Sequence, residues 1–392
     1  MAISRRNLLR RIGAAVAATA AVSSLPEVSL GAAPGEPSEP SGAGRSSGPI
    51  RLHRNENAYG PSANVVATML EAARTVACRY PDMDAEALRT TVARLHRVTP
   101  EQVVLGCGAG DILRMAADAF LGSRKTLIAA LPTFELIGDF ARRSGAEVIA
   151  VPLTRDYSHD LTAMLARSDA ATGLVYICNP NNPTGSLTLR QDLDVFLRKL
   201  PATTHVLIDE AYHDYVAESS EYASFIDRPV GDSRVIVVRS FSKIHGLAGL
   251  RVGYAVTSVE TARRLASSRL PEAVNVVAAK AAVAALGDHE HVRLSARRNA
   301  DGRQEFLNQA NARMLRAIDS QTNFVMLSTG RPAVGIVETL AVEIIEHFKM
   351  NNVLVSPPIP AFDKHIRVSL GTPAEMTEFW RVWDLMPRKM SM

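Results

Sequence analysis

The chain has 392 residues, 47% hydrophobic and 21% charged, enough for one large α/β domain with a sizeable core and a smaller unit beside it. Its formal charge of +4 is concentrated at the start: Arg5, Arg6, Arg10 and Arg11 face only Glu27 in residues 1–33, and the near-neutral remainder excludes a nucleic-acid footprint. Cys78, Cys107 and Cys178 cannot all pair and lack metal-ligand spacing, so they read as buried thiols, and no apolar run is long enough for a stable membrane-crossing helix.

Residues 1–33 combine a charged start, S-R-R-N-L-L-R-R-I-G from Ser4, a short apolar stretch from Ala14 to Val22, and the small residues Gly31-Ala-Ala33. That order is the layout of an export signal, and the paired arginines at 5 and 6 resemble a twin-arginine signal. The resemblance implies a folded protein handed to the twin-arginine machinery and a periplasmic location, with an uncleaved membrane anchor or a basic surface helix as alternatives. Residues 31–49 hold five Gly, four Pro and four Ser, a composition that cannot bury a core. Residues 34–49 therefore read as a flexible linker and 50–62 as an arm leading into the folded body.

From 63 to 287 the chain alternates helix-period segments with short β-rich runs. The predicted strands are 103–105, 126–129, 147–150, 173–177, 205–208, 234–238 and 252–255, separated by segments such as Ile112, Leu113, Ala116 and Phe120 at helical spacing. Continuous apolar strands between helices imply a mostly parallel, seven-stranded sheet covered on both faces. Residues 288–392 carry long amphipathic helices near 292–316 and 335–350 and short strands at 323–327 and 365–370, a smaller α+β domain.

Four segments carry chemistry. Gly106-Cys-Gly-Ala-Gly-Asp111 follows a strand and opens a helix, so its backbone can approach an anion at the helix N-terminus. Asn179-Pro-Asn-Asn-Pro-Thr-Gly185 is a rigid loop able to aim an amide at a ligand. Asp209 ends a strand and can pair with a pyridinium nitrogen or cap a helix; Tyr212 follows three residues on, and Glu210 reads as structural. Lys243 sits just past a strand end between Ser240, Ser242 and Arg251, an arrangement suited to a Schiff base with a phosphorylated aldehyde cofactor.

In this order the segments resemble a fold-type-I pyridoxal-phosphate-dependent aminotransferase, most of all the histidinol-phosphate aminotransferase branch. The likeness runs from L-H-R-N-E-N-A-Y-G-P-S at 52–62 through R-Y-P-D at 79–82, P-T-F at 132–134, D-E-A-Y at 209–212 and S-F-S-K-I-H-G-L-A-G-L-R at 240–251, to N-F at 323–324 and I-R-V-S-L-G-T at 366–372. It implies that Lys243 holds the cofactor and moves the proton, with Asp209 and Tyr212 assisting. Asp209 would pair with the pyridine nitrogen, Asn182 and Tyr212 with the 3-oxygen, and Phe134 would stack on the ring. Ala109, Gly110, Ser240, Ser242 and Arg251 would hold the phosphate, and Tyr80 would reach the cofactor of a second subunit in a homodimer. Arg367 and Asn55 would meet the substrate, and no metal is implied. The substrates would be an amino acid and a 2-oxo acid.

Two departures bear on specificity. The branch has a second arginine in a V-R-P stretch where this chain reads Val355-Ser356-Pro357, and His245 stands two residues after the lysine where an aromatic or alkyl residue is common. Other pyridoxal-phosphate chemistry on the same scaffold (decarboxylase, lyase, racemase or oxidase) and a non-catalytic binding module are the alternatives.

Overall fold

The computed structural model describes residues 48–219, 221–226, 231–329 and 341–386. The expected export signal, nearly all of the expected linker, and the start of the helix expected at 335 lie outside the described residues.

The seven expected strands form one sheet: β2 (Val103–Gly106), β3 (Thr126–Leu131), β4 (Glu147–Pro152), β5 (Thr172–Cys178), β6 (His205–Asp209), β7 (Val235–Ser240) and β8 (Gly253–Val256), in the order β2-β8-β7-β6-β5-β3-β4. Only β8 runs antiparallel to its neighbours. The period-2 alternation of side chains splits each strand between two cores. Val175, Ile177, Val206, Ile208, Val235 and Val237 pack under helices Ala63–Thr75, Asp82–His96, Arg190–Lys199 and Val276–Gly287. Leu174, Tyr176, Leu207, Ile236 and Val238 pack under helices Ala109–Phe120, Leu136–Arg143 and Val259–Ala266.

The later strands are as expected at β9 (Phe324–Ser328) and β11 (His365–Ser369), which pair antiparallel, and both pack in a third core with helices His289–Ala312, Ala341–Met350 and Pro373–Asp384. The sequence reading did not foresee β1 (Ile50–Leu52), which pairs in parallel with β10 (Val353–Val355) and buries Leu52 in that core. Three-residue strands carry too little pattern to be recognised. The reading of three buried thiols needs correction: Cys178 is buried, but Cys78 follows a helix end and Cys107 lies in the glycine loop, and both are exposed.

Register sets the site. Cys178 stands opposite Asp209, and Asp209 opposite Val238, so the Asn179–Gly185 loop, Asp209 and the Ser240–Lys243 turn leave the sheet side by side at its C-terminal edge. Open α/β sheets place ligands at this edge.

Candidate active site

The glycine loop and the turn after β7 form one end of the site. Gly106 and Ser240 both pair with Gly253, from opposite sides of β8. A Cβ at Gly253 would lie 2.6 Å from the Ala109 nitrogen, and one at Gly108 would lie 2.4 Å from the Arg251 guanidinium. Gly108 also has φ 78°, a conformation that side chains resist. The absent side chains leave a notch between the first turn of helix Ala109–Phe120 and Arg251. Backbone N–H groups of that turn, Ala109 and Gly110 among them, have no intrahelical acceptors and carry the helix's partial positive charge. Arg251 donates to Ser242 Oγ at 3.4 Å, and the Ser242 N–H donates to Ser240 Oγ at 3.1 Å. All the sequence-expected phosphate residues thus converge, and the notch suits a dianion. Gly108→Ala is expected to push the guanidinium aside and weaken cofactor binding by about 1–3 kcal/mol, roughly 5–150-fold; titrating apo-protein with pyridoxal phosphate measures it.

At the centre, Asp209 is buried, and its Oδ2 accepts from the Tyr176 hydroxyl at 2.9 Å while Oδ1 accepts from the Ala211 N–H at 3.1 Å. Burial raises its pKa to about 6 despite these donors. Tyr176 carried no signal in the sequence; its role follows from lying opposite Leu207 on β5, on the same face as Asp209.

The Lys243 amine donates to the backbone oxygens of Asn55 at 3.0 Å and Arg54 at 3.2 Å and lies 5.4 Å from the Tyr212 ring. Desolvation, with the nearby Arg367 charge, lowers its pKa to about 8. Asn55 has φ 54°, a left-handed conformation that Asn tolerates. It is fixed by Ser369, whose Oγ accepts from the Asn55 N–H at 2.8 Å and donates to Asn55 Oδ1 at 3.1 Å, and by Asn323 Nδ2, which donates to the Asn55 oxygen at 3.1 Å. Asn55 Nδ2 in turn donates to the Tyr212 hydroxyl at 3.0 Å. Asn323 and Ser369 lie in stretches that matched the family pattern, yet no role was read for them; only the folded contacts assign one. Burial holds the Tyr212 phenol well above its usual range, so it stays protonated and can donate.

At the far end, Arg367 on β11 donates to Asn182 Oδ1 at 2.6 Å and to the His53 oxygen at 3.2 Å, 5.5 Å from the Phe324 ring. Its Nε is buried without a partner among the described residues, a donor left over for a ligand. Phe134 is 37% exposed next to Thr133, whose hydroxyl donates to Asn181 at 2.8 Å. Tyr80 stands apart, 77% exposed between two helices. His245 packs on Phe241, ring centroids 5.1 Å apart, away from the lysine's own contacts.

A notch for a phosphate, a buried carboxylate, a protonated phenol and an amine of lowered pKa together fit pyridoxal phosphate. The family profile "Aminotransferase class I and II" matches residues 47–382. The histidinol-phosphate aminotransferase of Methylobacillus flagellatus is 39% identical over 338 residues, 86% of this chain and 88% of the relative. That of Moorella thermoacetica is 36% identical over 333 residues, 85% of this chain and 84% of the relative. The histidinol-phosphate aminotransferase of Sinorhizobium meliloti, solved in complex with pyridoxal 5′-phosphate, superposes with a TM-score of 0.78 at 25% identity, covering 87% of this chain and 90% of that one. In fold alone, the L-threonine-O-3-phosphate decarboxylase of Porphyromonas gingivalis is also similar, with a TM-score of 0.69 at 23% identity, covering 86% of this chain and 98% of that one. The chain belongs to the class I and II aminotransferases and is a pyridoxal-phosphate-dependent member of that family.

Proposed function

We propose that this aminotransferase works on amino acids with an ordinary α-carboxylate, passing the amino group to a 2-oxo acid, and that a phosphomonoester such as histidinol phosphate is a poor substrate. The observation that carries the reading is Ser356. Its N–H donates to the Arg367 oxygen at 3.1 Å, so it stands beside the clamping arginine, where the histidinol-phosphate branch has a second guanidinium. Its hydroxyl donates to the Pro357 oxygen at 3.1 Å and supplies no charge. Arg367, with its Nε unpaired among the described residues, matches a carboxylate; a phosphate dianion calls for more.

In this reading the cofactor supplies an electron sink that makes the substrate Cα–H acidic. The protein's residues do the rest. Ionised Asp209 would accept a hydrogen bond from the pyridinium N–H and keep that nitrogen protonated, and Asn182 and Tyr212 would hold the 3-oxygen. Phe134 covers the ring, and the notch around Arg251 grips the phosphate. Arg367 and the Asn55 arm would orient the substrate, and the Lys243 amine would be the group that takes up and carries the substrate's Cα proton.

The test is a comparison of kcat/KM for histidinol phosphate and for a panel of amino acids, each with the same 2-oxo acid. The loss of one charge-assisted pair, about 1.5–3 kcal/mol, predicts at least about a tenfold preference for an α-amino carboxylate. A preference for histidinol phosphate would overturn the reading.

We also read the protein as an exported homodimer with shared sites. Tyr80, Met83, Leu70 and Leu270 are apolar or aromatic side chains more than half exposed in the single chain, as expected of a face that a second copy covers. Light scattering of the purified protein tests the dimer, and cell fractionation tests the export expected from Arg5 and Arg6.

A further inference from the structure

Two buried carboxylates stand side by side where β6 ends, Asp209 and Glu210. Adjacent anions in a poorly solvated site disfavour each other's charge, and Asp209 has to remain ionised if it is to hold a pyridinium. The second carboxylate is met by a cation. Glu210 Oε2 accepts from Arg239 Nε at 2.8 Å and from Ser224 Oγ at 2.7 Å, and its Oε1 accepts from the Phe225 N–H at 2.9 Å. Arg239 also donates to Ser224 Oγ at 2.8 Å. Its pair with Glu210 is almost wholly shielded from water.

The place of this pair in the chain matters as much as its charge. Glu210 directly follows Asp209, and Arg239 directly precedes Ser240, four residues before Lys243. Asp209 pairs with Val238 across the strands, and the Glu210 N–H donates to the Val238 oxygen at 2.9 Å. The ion pair is therefore the next rung after the last strand pair, between the segment that carries the carboxylate and the segment that carries the amine.

We propose that Arg239 is a positioning residue for transamination: by neutralising Glu210 and tying the ends of β6 and β7, it keeps Asp209 ionised and fixed relative to Lys243. The inference rests on the reading of Asp209 given above. The groups facing Asp209 are Tyr176 and Cys178 from β5, the Ala211 N–H, Lys243 and Glu210. Those facing the pair are Asp214, 3.8 Å from Arg239, with Tyr222 and Tyr254 nearby. On its outer side lies a cavity of about 250 Å³ that Arg239 lines together with His96, His213, His245 and Asp214. None of these neighbours places a second cation against Glu210 within salt-bridge distance among the described residues.

The experiment compares holoenzyme carrying Arg239→Met, Arg239→Lys and Glu210→Gln, with Asp209→Asn as reference. The readouts are the acid limb of the kcat/KM profile, the pH titration of the bound cofactor's absorbance, and the melting temperature. Arg239→Met leaves an extra negative charge beside Asp209, so the acid limb is expected to move up by roughly one pH unit, with a matching loss of about tenfold in activity on that limb. Glu210→Gln leaves an extra positive charge, so the limb is expected to move down. Arg239→Lys keeps the charge and is expected to restore the position of the limb while losing part of the melting temperature. Opposite shifts support the inference. A lowered melting temperature with an unmoved limb in Glu210→Gln would overturn it, and that conservative variant decides the matter should Arg239→Met fail to fold. If Asp209→Asn itself keeps full activity, the reading of Asp209 fails instead.

Discussion

Lys243→Ala is expected to lose at least about a thousandfold in kcat while keeping its fold and much of its affinity for pyridoxal phosphate. Proton transfer by a positioned side chain contributes about 10²–10⁴, and Lys243 additionally provides the covalent attachment. Its environment is built for a reactive amine: burial and the charges of Arg367 and Arg251 act against the protonated form, bringing its pKa down to about 8. A group whose folded pKa lies below its unfolded value contributes unfavourably to folding while it is protonated in the native state. Removing it therefore should not lower the melting temperature at pH 7, and a variant that is inactive yet at least as stable separates chemistry from folding. Lys243→Arg keeps a cation without a readily available neutral amine and is expected to be as inactive as Lys243→Ala. Stopped-flow absorbance with substrate, alongside a melting curve, makes the measurement. Activity within tenfold of the parent in either variant would remove Lys243 from its role.

Asp209→Asn is the second large effect, and its two consequences point in opposite directions. Activity is expected to fall about 10²–10³-fold, the cost typical of removing one preorganised electrostatic contact. The apo-protein, in contrast, is expected to gain stability above pH 6. The folded pKa of Asp209 is raised to about 6, against about 3.9 unfolded. The native carboxyl thus holds its proton more tightly than the unfolded one. That contribution is fully present below pH 4 and is lost as the pH rises through 6, a swing of about 3 kcal/mol. Asparagine carries no charge to bury and retains an acceptor for the Tyr176 hydroxyl, so the apo-variant should melt higher than the parent at pH 7.5 and about equally at pH 4. Bound cofactor should reverse the order at pH 7.5, because only the parent gains from the pyridinium. Equal melting curves across the whole pH range would show that Asp209 is not held at a cost.

Much of this site was legible beforehand because its parts are consecutive in sequence. Gly106–Asp111, Asn179–Gly185, Asp209–Tyr212 and Ser240–Lys243 each mark the exit of a strand, and apolar runs such as Gly173–Ile177 bracket them. The last three converge through parallel pairing, and the antiparallel β8, lying between β2 and β7, brings the glycine loop beside them. What was not legible depends on partners far apart in the chain. Ser369 and Asn323 lie 314 and 268 residues from the Asn55 they hold, and Glu210 lies 29 residues from Arg239. Strands β1 and β10 are too short to show a period. The exposure of Cys78 and Cys107 was misread because thiols are usually buried, whereas a loop that must approach an anion brings whatever residue it contains to the surface.

The pairing of β1 with β10 also sets a limit on how far the chain tolerates shortening from its start. Residues from Ile50 onward bind the small-domain strand, bury Leu52 and then deliver the Asn55 contacts to Lys243 and Tyr212. A protease trimming the first 47 residues removes none of these contacts, whereas a cut a few peptide bonds further on takes away the strand, and one past Asn55 takes the floor beneath the amine. Any shortened form thus has a latest permissible start, and that position is written in a three-residue ladder.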